Sequence, residues 1–365
     1  MNQRLDQLTE ALKKHDLDSM LMTSKANVFY YSGLYAEAHE RLIAVYVDTY
    51  GRKAIVAPAL EMEDIRRTAW QDDIITYFDH EDPWDKIKVW LTSTGELPKQ
   101  LAIEEDHLNV SRYQNVLNLT QTSDVHHGQN LLNQIRVIKD ESELKALQEA
   151  ARYADFAIET AVHHIQPGKT ELEIIAEVEY ALKQKGIRDM SFSTLVLSGE
   201  KTASPHGTPS TKPIENGDFI LMDLGVVYEG YCSDITRTVA VGHVNEEQRT
   251  VYETVLEAEK NAIAACDIST PLGNIDDAAR SVIDQAGYGD FFTHRIGHGM
   301  GIDVHEFPSM SSNNQNPLQA GMTFTIEPGI YQPHVGGVRI EDDIYMTEEG
   351  PLVLTQYPKD LKIIS

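Results

Sequence analysis

Leu5, Leu8 and Leu12 recur at helical spacing, which predicts a helix over 4–15 with one buried face. Short apolar runs of strand length follow at 19–23, 42–47, 54–57, 74–78 and 101–103, with helix-like polar segments around 61–70 and 84–91. Strands alternating with helices predict a layered α/β domain with room for a mixed sheet. The polar stretch 123–130, holding Asp124, His126, His127 and Gly128, reads as a solvated connection. No acidic or thiol partner stands at ligand spacing from the two adjacent histidines. The expected division is therefore a domain over 1–125, a linker over 126–140 and a larger domain over 141–365.

Beyond the linker, the order of elements repeats. Asp140, with Glu143 three residues on, forms a capping box at the head of a long helix whose buried stripe is Leu144, Leu147, Ala151, Ala154, Ile158 and Ile165. A second helix starts at Thr170, with Glu173 completing its box, and stops by Gly186. A strand over 192–197 and a hairpin over 218–241 come next. About a hundred residues later a helix (246–265), a second helix (275–287), strand-like segments (291–301) and a hairpin (322–346) recur in that order. Duplicated helix–helix–hairpin units predict an α+β domain with pseudo-twofold symmetry, an antiparallel sheet covered by helices on one face.

The hairpins carry the chemistry. In the first, Asp223 and Asp234 are symmetric about a turn between Tyr228 and Glu229. An unbulged ladder would oppose them, with Cβ atoms about 4.5–5.5 Å apart. In the second, Glu327 and Glu341 are symmetric about His334. Like charges opposed on a sheet destabilise it, and Asp223 stands in an apolar strand, so such pairs call for a compensating cation. Between the hairpins, Gly297, Gly299 and Gly301 flank His298, where bare backbone can approach closely and a neutral imidazole can ligate a metal. His305, seven residues on, is too far for a second ligand on one helical turn and is placed either behind the ligands or against substrate, while the loop residue His206 gains interest only from the metal site beside it. His294 is read as structural, as are the scattered His39, His80 and His107. Four carboxylates and a histidine suit two divalent ions, Mn2+ first, with Co2+, Zn2+ or Fe2+ as alternatives. Carboxylates bridging two cations about 3.5–4 Å apart can hold a hydroxide between them for attack on an amide carbonyl. No zinc helix, P-loop or nucleophile elbow competes with this reading.

Composition narrows the partners. Among 365 residues, 57 Asp+Glu against 31 Lys+Arg leave a formal charge of −26, which disfavours nucleic acid and anionic membranes. The two cysteines, Cys232 and Cys266, make no disulfide framework, and no apolar run reaches spanning length, so a cytoplasmic protein is expected.

The set DLG…SDITRT, GHGMGIDVHE, IEPGIY and GVRIED resembles the metal-dependent "pita-bread" peptidases: Xaa-Pro aminopeptidases, Xaa-Pro dipeptidases (prolidases) and methionine aminopeptidases. ANVFYYSGLYAEAHERL looks like the smaller creatinase-like N-terminal domain of the proline-directed and creatinase branches. The resemblance implies that Asp223 chelates one metal, that His298 and Glu327 hold the other, and that Asp234 and Glu341 bridge both. It further implies that His206 and His305 contact substrate, that Glu327 shuttles a proton and that Arg339 supports the ligands from behind. The implied activity is removal of an N-terminal residue preceding proline, by a homodimer. A prolidase restricted to dipeptides is the alternative. A non-catalytic relative would have lost ligands, and all five are here. Two positions depart from a common pattern: Ser309 and Lys201 stand where dipeptide-cleaving relatives often have Arg.

Overall fold

The computed structural model describes residues 2–121 and 125–365. The chain divides at Arg136/Val137 into two compact units. In the first, all five predicted strands enter one six-stranded sheet, in the order Asp73–Tyr77, Lys53–Pro58, Ala44–Asp48, Ser19–Met22 and Leu101–Ile103, with the unpredicted His126–His127 at the edge. It is mixed: Ser19–Met22 pairs antiparallel with Ala44–Asp48 and parallel with Leu101–Ile103. Ser19–Met22 and Ala44–Asp48 are buried at every position, which explains their continuous rather than alternating apolar pattern. Helix Asn2–Lys14 buries Leu5, Leu8 and Leu12 completely.

Helices Lys25–Ser32 and Val110–Leu117 and the segment 126–136 of this unit escaped the pattern. Helix Lys25–Ser32 is buried on nearly every side and so has no polar face to give it a period. Its start is held by the buried Glu104 carboxylate, which accepts from Ser24 N (2.9 Å) and Asn27 Nδ2 (2.5 Å). The structure also corrects the expected 126–140 linker. His126–His127 adds a parallel edge strand beside Leu101–Ile103, and Gln129–Arg136 is a helix burying Leu131, Leu132 and Arg136. A strand of two polar residues gives no alternation to read, and a helix of this length shows barely two turns of period. Ser123 and Asp124, the start of that polar stretch, lie outside the described residues.

The second unit carries the predicted repeat. Both capping boxes form: Asp140 accepts from Glu143 N while Glu143 accepts from Asp140 N, each at 2.9 Å, and Thr170 pairs with Glu173 in the same way. Helices Glu141–His164 and Glu171–Gln184 share one core with strands Phe219–Leu224 and Ile235–Val241. Helices Glu246–Ala264 and Leu272–Gln285 share a second core with Thr323–Ile326 and Asp342–Thr347. The strand pairs of this unit are antiparallel, apart from Ile363–Ile364, which runs parallel to Ile235–Val241. The two halves of the repeat meet at a bridge between Thr236 and Glu341.

Register decides where the acidic residues stand. In the first hairpin Tyr228 pairs with Tyr231 across Glu229 and Gly230, whose φ values of 49° and 85° mark a two-residue turn of the I′ kind. Asp223 therefore faces Thr236, not Asp234. The two aspartates remain on the same side but lie diagonally, two residues out of register, which corrects the opposed pair expected from symmetry about 228/229. In the second hairpin the expected register holds. Ile326 pairs with Asp342 and Gly329 with Arg339, so Glu327 and Glu341 stand opposite each other where the hairpin passes from one sheet into the next.

Candidate metal centre

Strand Gly297–Gly299 runs between Glu306–Met310 and Thr323–Ile326, and only glycine fits beside His298 there. A Cβ on Gly297 would lie 2.0 Å from Thr325 O, and one on Gly299 would lie 2.3 Å from Phe307 O. The backbone thus sinks into the sheet and carries the imidazole to its centre. His298 Nδ1 donates to Gly299 O at 3.2 Å; a carbonyl can only accept, so the proton is on Nδ1 and the Nε2 lone pair is free. Burial, then the neighbouring His305, holds His298 down to about 3, so it is a neutral ligand at physiological pH.

Nε2 looks at carboxylates: 3.6 Å to Glu327 Oε1 and 3.8 Å to Asp234 Oδ2. One ligand atom each from Asp234, His298 and Glu341 lies within 4.8 Å of the others, and all three residues are buried. Asp223 lines the same cavity of about 450 Å³, as do Glu327, His206, His305 and Arg339. Every site residue expected from the sequence therefore converges on one cavity, although Asp223 and Glu327 stand outside the tight Asp234–His298–Glu341 cluster.

Several carboxylates without solvent are costly unless something cationic joins them. Burial, followed by the charges of Glu341 and Asp223, drives Asp234 well above the usual carboxylate range. Burial, then Glu327, does the same to Glu341, and burial lifts Glu327 to about 7. Asp223 Oδ1 and Asp234 Oδ1 are buried without any hydrogen-bond partner. Buried oxygens with no donor, beside a histidine with a free lone pair, fit divalent metal.

Arg339 supplies part of the missing positive charge. Its Nη2 donates to Asp223 Oδ2, its Nε to Thr236 Oγ1 (3.0 Å) and its Nη1 to Tyr331 Oη (3.0 Å). Thr236 Oγ1 in turn donates to Glu341 Oε2 at 2.6 Å. Strand alternation could have found Thr236, since residues 234, 236 and 238 share a face. His294, read from sequence as structural, also lines the cavity. Its Nδ1 donates to Arg295 O and its Nε2 accepts from Tyr331 Oη, both at 2.8 Å. Burial holds it at about 4, uncharged. Nothing in the local sequence distinguished it, because its role depends on Tyr331 arriving from another strand.

The two departing positions have other partners. The Lys201 ammonium donates to the buried Glu171 carboxylate and to Ser210 Oγ (2.8 Å). Ser309 Oγ accepts from Arg295 Nη1 at 3.0 Å.

The chain is similar to known proteins in sequence and fold. The sequence pattern of metallopeptidase family M24 matches residues 145–348, and that of the creatinase/prolidase N-terminal domain matches residues 4–138. The chain is 46% identical over 361 residues to a Bacillus subtilis protein named "Putative dipeptidase YkvY", covering 99% of each. Among solved structures it is similar to a Xaa-Pro dipeptidase from Bacillus anthracis, with a TM-score of 0.92 and 34% identity over 99% of each chain. An X-Pro aminopeptidase from Thermotoga maritima matches with a TM-score of 0.87 and 29% identity, over 97% of this chain and all of that one.

Proposed function

Because this chain belongs to metallopeptidase family M24 and carries a creatinase/prolidase N-terminal domain, we propose that it is a dinuclear exopeptidase cleaving the bond between an N-terminal residue and proline. The carrying observation is the convergence of Asp223, Asp234, His298, Glu327 and Glu341 on one cavity, with aspartate oxygens left without donors. Asp223 would hold one metal, His298 and Glu327 the other, and Asp234 and Glu341 both. Mn2+ is the first candidate, ahead of Co2+, Zn2+ or Fe2+. Bound there, such a pair supplies Lewis acidity and water activation at neutral pH.

The side chains do the rest. Glu327, on the cavity wall beside His298, would take a proton from the attacking water and return it to the leaving imino nitrogen. His206 and His305 are exposed on the cavity and offer N–H donors to the developing oxyanion. His206→Ala is expected to lower kcat by about 10²–10³-fold while leaving metal content unchanged by elemental analysis. Loss of metal in that variant would remove the assignment.

The similar proteins named as dipeptidases favour a second reading, a prolidase restricted to Xaa-Pro dipeptides. Rates on Xaa-Pro, Xaa-Pro-Yaa and Xaa-Ala peptides at saturating Mn2+ separate the two. Preference for tripeptides supports an aminopeptidase, cleavage of dipeptides alone supports a prolidase, and indifference to proline defeats both. The proposal extends to a cytoplasmic homodimer, in keeping with two free buried cysteines and with no helix, among the described residues, long and apolar enough to cross a membrane.

A further inference from the structure

Arg237 is the largest fully buried side chain among the described residues, yet it sits on the far side of its strand from the metal cavity. Its guanidinium spends all five N–H donors on the junction between the two halves. Nε and Nη2 reach Tyr357 O at 3.0 and 2.7 Å, Nη1 reaches Thr236 O at 3.0 Å and Glu341 O at 2.5 Å, and Nη2 also reaches Asp342 Oδ1 at 2.7 Å. The main-chain carbonyl of Glu341 is thus tied from behind, while Glu341 N donates to Thr236 O at 3.1 Å.

Asp343, completely buried, makes the reciprocal tie. Its Oδ2 accepts from Asp234 N at 3.0 Å. Asp234 lies where the first hairpin's ladder lapses: pairing stops at Leu224↔Ile235 and resumes at Val227↔Cys232. The backbones come close across the lapse: a Cβ on the facing Gly225 would lie 1.8 Å from Ser233 O, and Ser233 N still donates to Val226 O at 3.0 Å. Even-numbered N–H groups along this segment point away from the first hairpin, as Ala240 N does toward Lys362 O, so Asp234 N faces the other half of the repeat and the Asp343 carboxylate accepts from it there. The two residues after Glu341 are each fastened to the strand that carries Asp234, one on each side of the sheet.

We propose that Arg237 and Asp343 are positioning residues that hold the main chains of Asp234 and Glu341 at a fixed spacing before metal binds. The need is physical. Without metal, like charges would splay the two carboxylates, and each would then have to be drawn back during binding. Groups behind metal ligands typically govern affinity by about 10–100-fold. Removing the Arg237 guanidinium does not strand Asp342, because Lys359 Nζ also bonds that carboxylate.

The inference rests on the metal-centre reading, and one set of measurements separates the two. Metal-stripped full-length wild type, Arg237→Met, Arg237→Lys, Asp343→Ala and Asp343→Asn are titrated with Mn2+ by calorimetry, with kcat, KM and metal-free melting recorded alongside. Arg237→Met, Arg237→Lys and Asp343→Ala are expected to bind Mn2+ about 10–100-fold more weakly and to lose kcat with little change in KM. Asp343→Asn keeps an acceptor oxygen for Asp234 N and is expected to retain wild-type affinity. Wild-type Mn2+ affinity in Asp343→Ala and in the Arg237 variants, even with lowered melting temperatures, would reduce both residues to a structural role and overturn the inference. If the Arg237 variants fail to fold, the contrast between Asp343→Ala and Asp343→Asn decides alone. Failure of wild type to bind Mn2+ would instead sink the metal centre itself.

Discussion

Replacing Glu341 by alanine is expected to lower kcat/KM by about three orders of magnitude or more, because a carboxylate proposed to serve both metals is lost with the Lewis acidity they supply. Asp234→Ala should behave alike, and both variants should show little bound metal by elemental analysis. The isosteric Glu341→Gln gives a sharper test. It keeps an acceptor for Thr236 Oγ1 but removes one charge from a cluster in which burial and Glu327 already push that carboxyl far up. Activity should fall as in the alanine variant. The metal-free protein at neutral pH, however, should melt higher than metal-free wild type, by roughly 2–4 °C per kcal/mol of repulsion relieved. A variant that is less stable than wild type without metal, yet still active, would contradict the view that these carboxylates are mutually strained and matched to a cation.

Chelation is expected to abolish hydrolysis completely, with return on adding Mn2+ or Co2+; full activity in rigorously metal-free protein would end the mechanism. Removing metal should also invert the pH dependence of stability. Glu327 rises from its ordinary 4.5 to about 7 in the fold, so the folded state prefers the protonated carboxyl. Its stabilising contribution is fully present below about 4.5, and it is lost as pH climbs through 7. Asp234 and Glu341, also raised, act in the same direction. Metal-free protein should therefore lose melting temperature between pH 5 and pH 8. Metal-loaded protein should gain it, since ligands must be deprotonated to bind. Calorimetry across that range, with and without Mn2+, checks both signs. Parallel slopes for the two forms would refute the linkage.

How much of this was legible depended on the range of the interactions involved. The five candidate ligands could be named from local signals: Asp223 as an acidic residue inside an apolar strand, His298 among glycines that permit close backbone packing, and Asp234, Glu327 and Glu341 from their symmetry about the hairpin turns. The Glu327–Glu341 register could be counted from symmetry, because its two strands continue at one offset through both sheets. The Asp223–Asp234 register could not. The positive φ values of Glu229 and Gly230 moved the turn by one residue and the partner of Asp223 by two. The segment over 126–140 was misread as linker because two polar residues in an edge strand and a two-turn helix carry too little period.

Local pattern by itself determined the α/β and α+β units, the duplicated helix–helix–hairpin order, the capped helix starts and the residue types able to bind metal. Those properties depend on neighbours within a few positions, where alternation, helical period and capping act. Tertiary structure alone decided that Asp234 leans on Asp343, that Thr236 and Arg339 share the load of Glu341 and Asp223, and that His294 joins the cavity through Tyr331. These contacts mostly join residues about a hundred positions apart across the two halves. A hydrogen bond at that separation leaves no local period, because it exists only after both halves have folded and met.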